Sequence, residues 1–187
     1  MNLTAKIRAV ARIFNEADRQ VATFRESSGL DCVKGCHMCC LNPNIHTTVM
    51  EFLPLASHLV DSGRHEEILT RIESRNERTC VIFNPFNGPG SCSMYEQRGL
   101  ICRLFGFTAR TTREGAPQLV TCEPIRQRME KTPEMITVAT APQMPAYYMK
   151  LFGIDPHLSV RYLPINESVE QAIHIVAMGT KFRKKRA

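Results

Sequence analysis

Apolar residues recur every three or four positions along the first stretch of the chain: Leu3, Ile7, Val10, Phe14, Ala17, Val21 and Phe24. That period puts them on one stripe of a helix, with Arg8, Arg12, Glu16, Arg19 and Arg25 elsewhere on its surface. The pattern predicts one amphipathic helix over residues 3–28, closed by Ser27-Ser28-Gly29, where glycine suits the left-handed conformation that follows a helix. The spacing is also heptad-like, but so short a run favours a helix packed on its own domain over a coiled coil.

Beyond residue 30 the periodicity breaks into short pieces. Asn42-Pro43-Asn44 is turn chemistry. Thr48-Val49-Met50-Glu51 has the form of a capping box and predicts a helix running to about Ser62, with Pro54 kinking it or delaying its start. Gly63 separates it from a second helix over Glu66–Glu77, with Ile68, Leu69 and Ile72 inward. Cys80-Val81-Ile82-Phe83 suits a short strand, and NPFNGPGS a turn region. Cys92-Ser93-Met94 reads as extended, Tyr95–Phe105 as helical, and 107–121 as a hairpin around Glu114-Gly115, weakened by Pro117. Helical signals return at Thr132-Pro133-Glu134 and at Pro145–Phe152, the latter closed by Gly153. A last helix is capped by Asn166, faced by Val169, Ile173 and Val176, and ended by Gly179. The fold class expected is mainly α, with helices packed around a small irregular cysteine-rich centre and one short β-hairpin.

Length and composition add bounds. With 187 residues, 43% of them hydrophobic, the chain can bury an ordinary core. The expected organisation is a single domain over 1–180, with a cysteine-cluster core at about 30–125 and a basic disordered tail at 181–187. No apolar run approaches a membrane span, and MNLTAKIRAVARIF lacks the continuous apolar core of a signal peptide. The expected location is therefore the cytoplasm. The formal charge is +6, and much of the excess lies in KFRKKRA. A basic tail can touch phosphates, yet nothing interleaves aromatics with the basic residues in a nucleic-acid pattern, so nucleic acid is not the expected partner.

Eight cysteines change the picture most. In a reducing compartment disulfides are not expected, and clustered thiols point to a soft metal or an iron–sulfur centre. Four of them, Cys32, Cys36, Cys39 and Cys40, fall in CVKGCHMCC, and Cys80, Cys92, Cys102 and Cys122 follow. The two-residue gap from Cys36 to Cys39 lets a tight turn aim two sulfurs at one metal, as in zinc knuckles and ferredoxin-like loops. Vicinal cysteines in an extended segment point to opposite faces. Cys39 and Cys40 therefore serve two adjacent metals, or one ligates while the other packs or donates a weak hydrogen bond. Thiolate-rich centres carry net negative charge, which Lys34, Arg98, Arg103 and Arg126 stand close enough in sequence to offset; the alternative for each is a surface ion pair.

CVKGCHMCC, then His46-Thr47-Thr48-Val49-Met50-Glu51, then CVIF, then CSMYEQRGLICRLFGF resembles the YkgJ-type cysteine-cluster family, a zinc- or iron-chelating domain of CxxCxxCC type. Family members carry a Cys-Cys pair, a downstream CPFL and a CSIYEVRPLVCRLF segment, and the resemblance covers roughly residues 32–105. It implies that Cys32, Cys36, Cys39, Cys40, Cys80, Cys92 and Cys102 belong to the metal-binding set, with Cys122 the weakest member. One departure is Gly99, where the family has proline. The family glutamate near Glu51 is read as a helix cap, against a ligand or outer-sphere carboxylate. A related type, the flagellin lysine N-methylases, resembles an iron–sulfur, S-adenosylmethionine-dependent enzyme, but no glycine-rich nucleotide loop is present here to support methyl transfer.

His37 and His46 are alternative ligands, His37 the better placed, with a solvent-facing loop histidine as the plainer reading. Met129, Met135, Met144, Met149 and Met178 lack a tight Met-x-Met pattern, and core packing explains them. The favoured reading is a metal-binding protein whose thiolates hold an iron–sulfur cluster, or zinc or iron ions, with a redox or electron-transfer role. The alternatives are an iron-dependent metalloenzyme with an open site near Glu51 or His37, and a structural zinc domain for protein or nucleic-acid contact. The protein partner and oligomeric state are not legible.

Overall fold

The computed structural model of the protein describes residues 1–32, 36–74, 79–84, 86, 92–131 and 140–184. Helix α1 spans Leu3–Ser28, begins at Asn2, whose side chain accepts from the Ala5 N–H, and ends at Gly29 with φ 66°. Its predicted stripe is buried: Val10, Phe14, Ala17, Val21 and Phe24 enter the core, and Leu3 and Ile7 pack at its edge. Burying each phenylalanine contributes about 1.5–3 kcal/mol, which is what fixes this face inward. The stripe is satisfied inside the chain, because α1 packs on α3 (Leu53–Asp61), α5 (Leu100–Leu104) and α7 (Met144–Ile154). Polar contacts set its rotation: Lys6 pairs with Asp155, Asp18 with Arg103, Glu16 with Lys150, and the Tyr147 hydroxyl donates to Gln20 at 2.7 Å.

A short helix α2, Met38–Leu41, carries the vicinal cysteines. Pro54 acts as a start signal: residues Val49–Phe52 form a 3₁₀ turn and α3 begins at Leu53, with the proline in its first turn. Helix α4, His65–Ser74, buries Ile68 and half-buries Leu69 and Ile72; the predicted end at Glu77 lies outside the described residues. The hairpin forms as expected, β2 (Thr108–Thr111) against β3 (Pro117–Val120), with Gly115 at φ 83° in the turn. Pro117 is tolerated because it is the first residue of its strand. Among the described residues the architecture is mainly helical with two small antiparallel sheets, and no helix is long and apolar enough to cross a membrane.

Several local expectations need correction. Cys80–Phe83 is not a strand: Val81 and Ile82 lie in a turn and only Phe83 bridges Cys92. The predicted helix Tyr95–Phe105 is split into a 3₁₀ turn, Tyr95–Gln97, and α5, with Gly99 extended between them at ψ 167°. Helix α6, Glu123–Lys131, follows the hairpin without having been predicted, since mostly polar residues blur its period. The helix start at Thr132-Pro133-Glu134 lies outside the described residues. Helix α7 runs past Gly153 to Ile154, and Asp155 caps α8, Pro156–Ser159. A two-residue ladder of β1 (His46–Thr47) with β4 (Leu163–Pro164) brings α9, Ile165–Lys184, beside the 3₁₀ turn. Gly179 does not end α9. A Cβ there would lie 2.6 Å from Leu3 Cδ2, so the glycine permits close approach of α1.

Candidate metal centre

Five separate stretches of backbone deliver the cysteines to one place. The Cys40 carbonyl accepts the Cys80 N–H at 3.0 Å, tying α2 to the segment after α4. That segment is clamped from α9, where Asn166 accepts the Val81 N–H at 2.8 Å and donates to the Thr79 carbonyl at 2.9 Å. Asn166 is thus not the helix cap expected of it; its amide is spent on holding Cys80. Cys92 is set by its bridge to Phe83 and by the Ser93 N–H donating to the Ile82 carbonyl at 3.1 Å. Cys102 rides on α5, and Cys122 leads into α6, its carbonyl accepting the Arg126 N–H at 2.9 Å.

The convergence is complete. Cys32, Cys36, Cys39, Cys40, Cys80, Cys92, Cys102 and Cys122 all line one cavity of about 140 Å³, walled also by Val21, Phe52, Leu55, Ile82, Met94 and Ile125. Depth divides the set. Cys80 is buried, Cys40, Cys92, Cys102 and Cys122 pack on the hydrophobic core, and Cys32 is exposed at the rim. Met38 and Met94, not singled out in the sequence, add soft thioethers to the lining; only their nearness to Cys39 and Cys92 in the chain could have pointed to them.

Electrostatics follow depth. Cys40 donates its thiol proton toward the Cys39 sulfur, which holds Cys39 down at about 6 and pushes Cys40 up. Burial raises Cys80 to about 12, raises Cys92, and drives Cys102 well above its ordinary value, with neighbouring sulfurs adding to each rise. Even at the rim, where Cys32 is exposed, partial burial and then the Cys36 sulfur raise it. So many thiolates cannot coexist in a low-dielectric cavity unless a cation sits among them, and a bound cation reverses this order by drawing the protons off. Among the described residues no three sulfur, imidazole or carboxylate groups stand close enough to hold one ion as placed. The donor set nevertheless fits a soft metal: it is all sulfur, gathered on one cavity, with the cations Arg25, Arg98 and Arg103 at its wall.

Neither histidine joins the lining. His37 lies over Phe83 with ring centroids 5.4 Å apart, and His46 is exposed with Nδ1 3.2 Å from the Asn44 carbonyl oxygen. Of the four cations expected near the sulfurs, Lys34 lies outside the described residues and Arg126 forms an exposed pair with Glu123. Arg103 is a staple. It is 7% exposed, lies over Phe14, pairs with Asp18 and donates to the Arg98 and Glu96 carbonyls. Arg98 lines the cavity, stacked on Tyr95 with its guanidinium carbon 3.7 Å from the ring centroid.

Glu51 is the expected cap, and it serves two elements. Fully buried, it accepts the Thr48 N–H at 2.9 Å and, with its other oxygen, the Ile101 N–H at 3.0 Å in the first turn of α5. The Thr48 and Tyr148 hydroxyls complete its shell, each at 3.3 Å. Burial raises its carboxyl, against the lowering effect of these hydrogen bonds. It therefore joins the helix bearing Cys102 to the turn before α3. Gly99 is required beside it, because a Cβ there would lie 2.8 Å from the Phe52 ring and 3.2 Å from the Glu51 carboxylate.

A cavity that gathers eight cysteines from dispersed segments has the donor set of a metal-chelating class of protein. The chain belongs to the CxxCxxCC family, described as a "Putative zinc- or iron-chelating domain", whose profile matches residues 31–132. Its chemistry is metal binding, with zinc or iron as the metal. No curated protein and no solved structure gives a significant match.

Proposed function

We propose that the chain holds an iron–sulfur cluster through its cysteine thiolates and uses it for one-electron transfer or oxidant sensing. The observation that carries this reading is the convergence of all eight cysteines on one cavity. At about 140 Å³ the space is roughly ten times what a single water needs, which favours a polynuclear centre over one closed ion site. Cys40, Cys80, Cys92 and Cys102 form the inner ligand group. Cys32, Cys36 and Cys122 form an outer group, Cys122 because its charge acts on Cys32 at the rim although it packs on the core, and Cys39 stands between the two. Such a centre needs a reducing compartment such as the cytoplasm, and the continuous core from α1 to α9 suits one domain over 1–180.

One observation favours a second reading. Four inner sulfurs from four segments also match the complement of a structural zinc ion. The open-iron-site reading gains no such support, because Glu51 is engaged by backbone donors and His37 by Phe83. Serine replacement of each cysteine, with iron, zinc and acid-labile sulfide counted per chain after anaerobic purification, tests the assignment. Loss of iron and sulfide together in the inner variants, with retention in Cys122→Ser, supports it. Retention of full iron and sulfide in Cys80→Ser refutes the inner set, and zinc without sulfide refutes the cluster.

A further inference from the structure

Asp18 is one carboxylate serving two guanidinium groups. Arg103 takes it closely, and Arg98 reaches it only at 3.8 Å. Arg98 is nonetheless withdrawn from water, its side chain 16% exposed, and its Nε–H is buried with no hydrogen-bond partner among the described residues. A buried, unpaired donor on a cation is destabilising and persists where something is there to receive it. Its surroundings narrow the receiver. Arg98 lines the same cavity as all eight thiols. Arg103, by contrast, spends its donors on Asp18 and two carbonyls and has no such vacancy on its Nε.

We propose that Arg98 is the charge-balancing residue of the sulfur centre, its Nε–H donating to a metal-bound sulfur while Tyr95 and Asp18 hold the guanidinium in place. The proposal rests on the metal-centre reading above. A hydrogen bond from a cation to a ligating sulfur stabilises the more negative state of the centre, so it raises the reduction potential of an iron–sulfur cluster and tightens a thiolate-bound zinc ion. Lysine at this position keeps the charge but loses the flat, stacked donor.

The test compares wild type, Arg98→Gln and Arg98→Lys, each purified anaerobically and titrated with dithionite, which supplies one electron per centre. Arg98→Gln is expected to shift the reduced-to-oxidised ratio at fixed potential at least tenfold toward oxidised, about 59 mV for one electron. Arg98→Lys is expected to fall between the two. Should the bound metal be zinc, chelator competition replaces the titration, and Arg98→Gln is expected to bind at least tenfold more weakly. Tyr95→Leu alters an exposed ring and frees the guanidinium, so a partial shift is expected there even if Arg98→Gln fails to fold. Wild-type potential or zinc affinity in Arg98→Gln, or in Tyr95→Leu where Arg98→Gln does not fold, overturns the role of Arg98. A wild-type protein that binds no metal overturns the metal-centre reading instead.

Discussion

Replacing Glu51 with glutamine isolates one buried hydrogen-bond junction without changing its shape. Glutamate offers acceptors in both directions, one oxygen to the Thr48 N–H and both hydroxyls, the other to the Ile101 N–H. Glutamine has one acceptor and one donor group. Its NH₂ must face either the Thr48 or the Ile101 N–H, and a backbone N–H cannot turn to accept, whereas the Thr48 and Tyr148 hydroxyls can. One buried backbone donor is therefore orphaned whichever way the amide is set, at about 1–3 kcal/mol. Taking about 2 kcal/mol, the melting temperature of a chain this size falls by roughly 4–8 °C. Glu51→Ala orphans both N–H groups and opens a cavity, for a loss of roughly 3–5 kcal/mol. Urea unfolding of the metal-free protein, followed by helical circular dichroism, reads both numbers as midpoint shifts at constant slope. Both variants within about 0.5 kcal/mol of wild type would refute the double-cap reasoning, since that is the range of an ordinary surface change.

Further outcomes follow from the same contacts. Burial raises the Glu51 carboxyl, so the folded chain keeps that proton to higher pH than the unfolded chain, and its contribution is full below the unfolded value and lost as pH rises through the folded one. Wild-type stability relative to Glu51→Ala should accordingly fall as pH rises from about 4.5, measured by urea midpoints; a relative gain over that window contradicts the sign. Asn166→Ala frees the segment that carries Cys80 and should lower metal content without altering a thiol, checked by metal analysis of the purified variant. Gly106→Ala imposes a side chain at φ 93° with its Cβ 2.7 Å from Ile125 Cδ1, and should cost about 2 kcal/mol or more in a denaturant titration.

The parts of this fold written in local pattern were legible. The stripe of α1, the hairpin around Gly115 and the Thr48–Glu51 cap each depend on neighbours in the chain, and each appears where expected. Dispersed cysteines could be assigned to a common cavity from their chemistry and the family resemblance. Failures came where a distant partner decided the outcome. Asn166 looks like a cap until the 79–81 segment claims its amide, and Gly179 looks like a stop until Leu3 packs against it. The apolar run at Cys80–Phe83 reads as a strand, but its residues turn into the core with a single bridge for a partner. Arg98 and Arg103 are alike in the sequence. Both line the cavity, and only the fold separates them: the Arg103 Nε–H donates to the Arg98 carbonyl, whereas the Arg98 Nε–H is buried with no partner among the described residues.

Iron, zinc and acid-labile sulfide determined per chain on anaerobically purified wild-type protein, alongside its visible spectrum, test the central claim most directly. The account predicts a brown protein with iron and sulfide in near-equal amounts and broad sulfide-to-iron absorption that bleaches on reduction. A colourless protein with zinc and no sulfide would contradict the cluster, and one that carries neither iron nor zinc, and takes up neither when they are supplied, would contradict the metal centre itself.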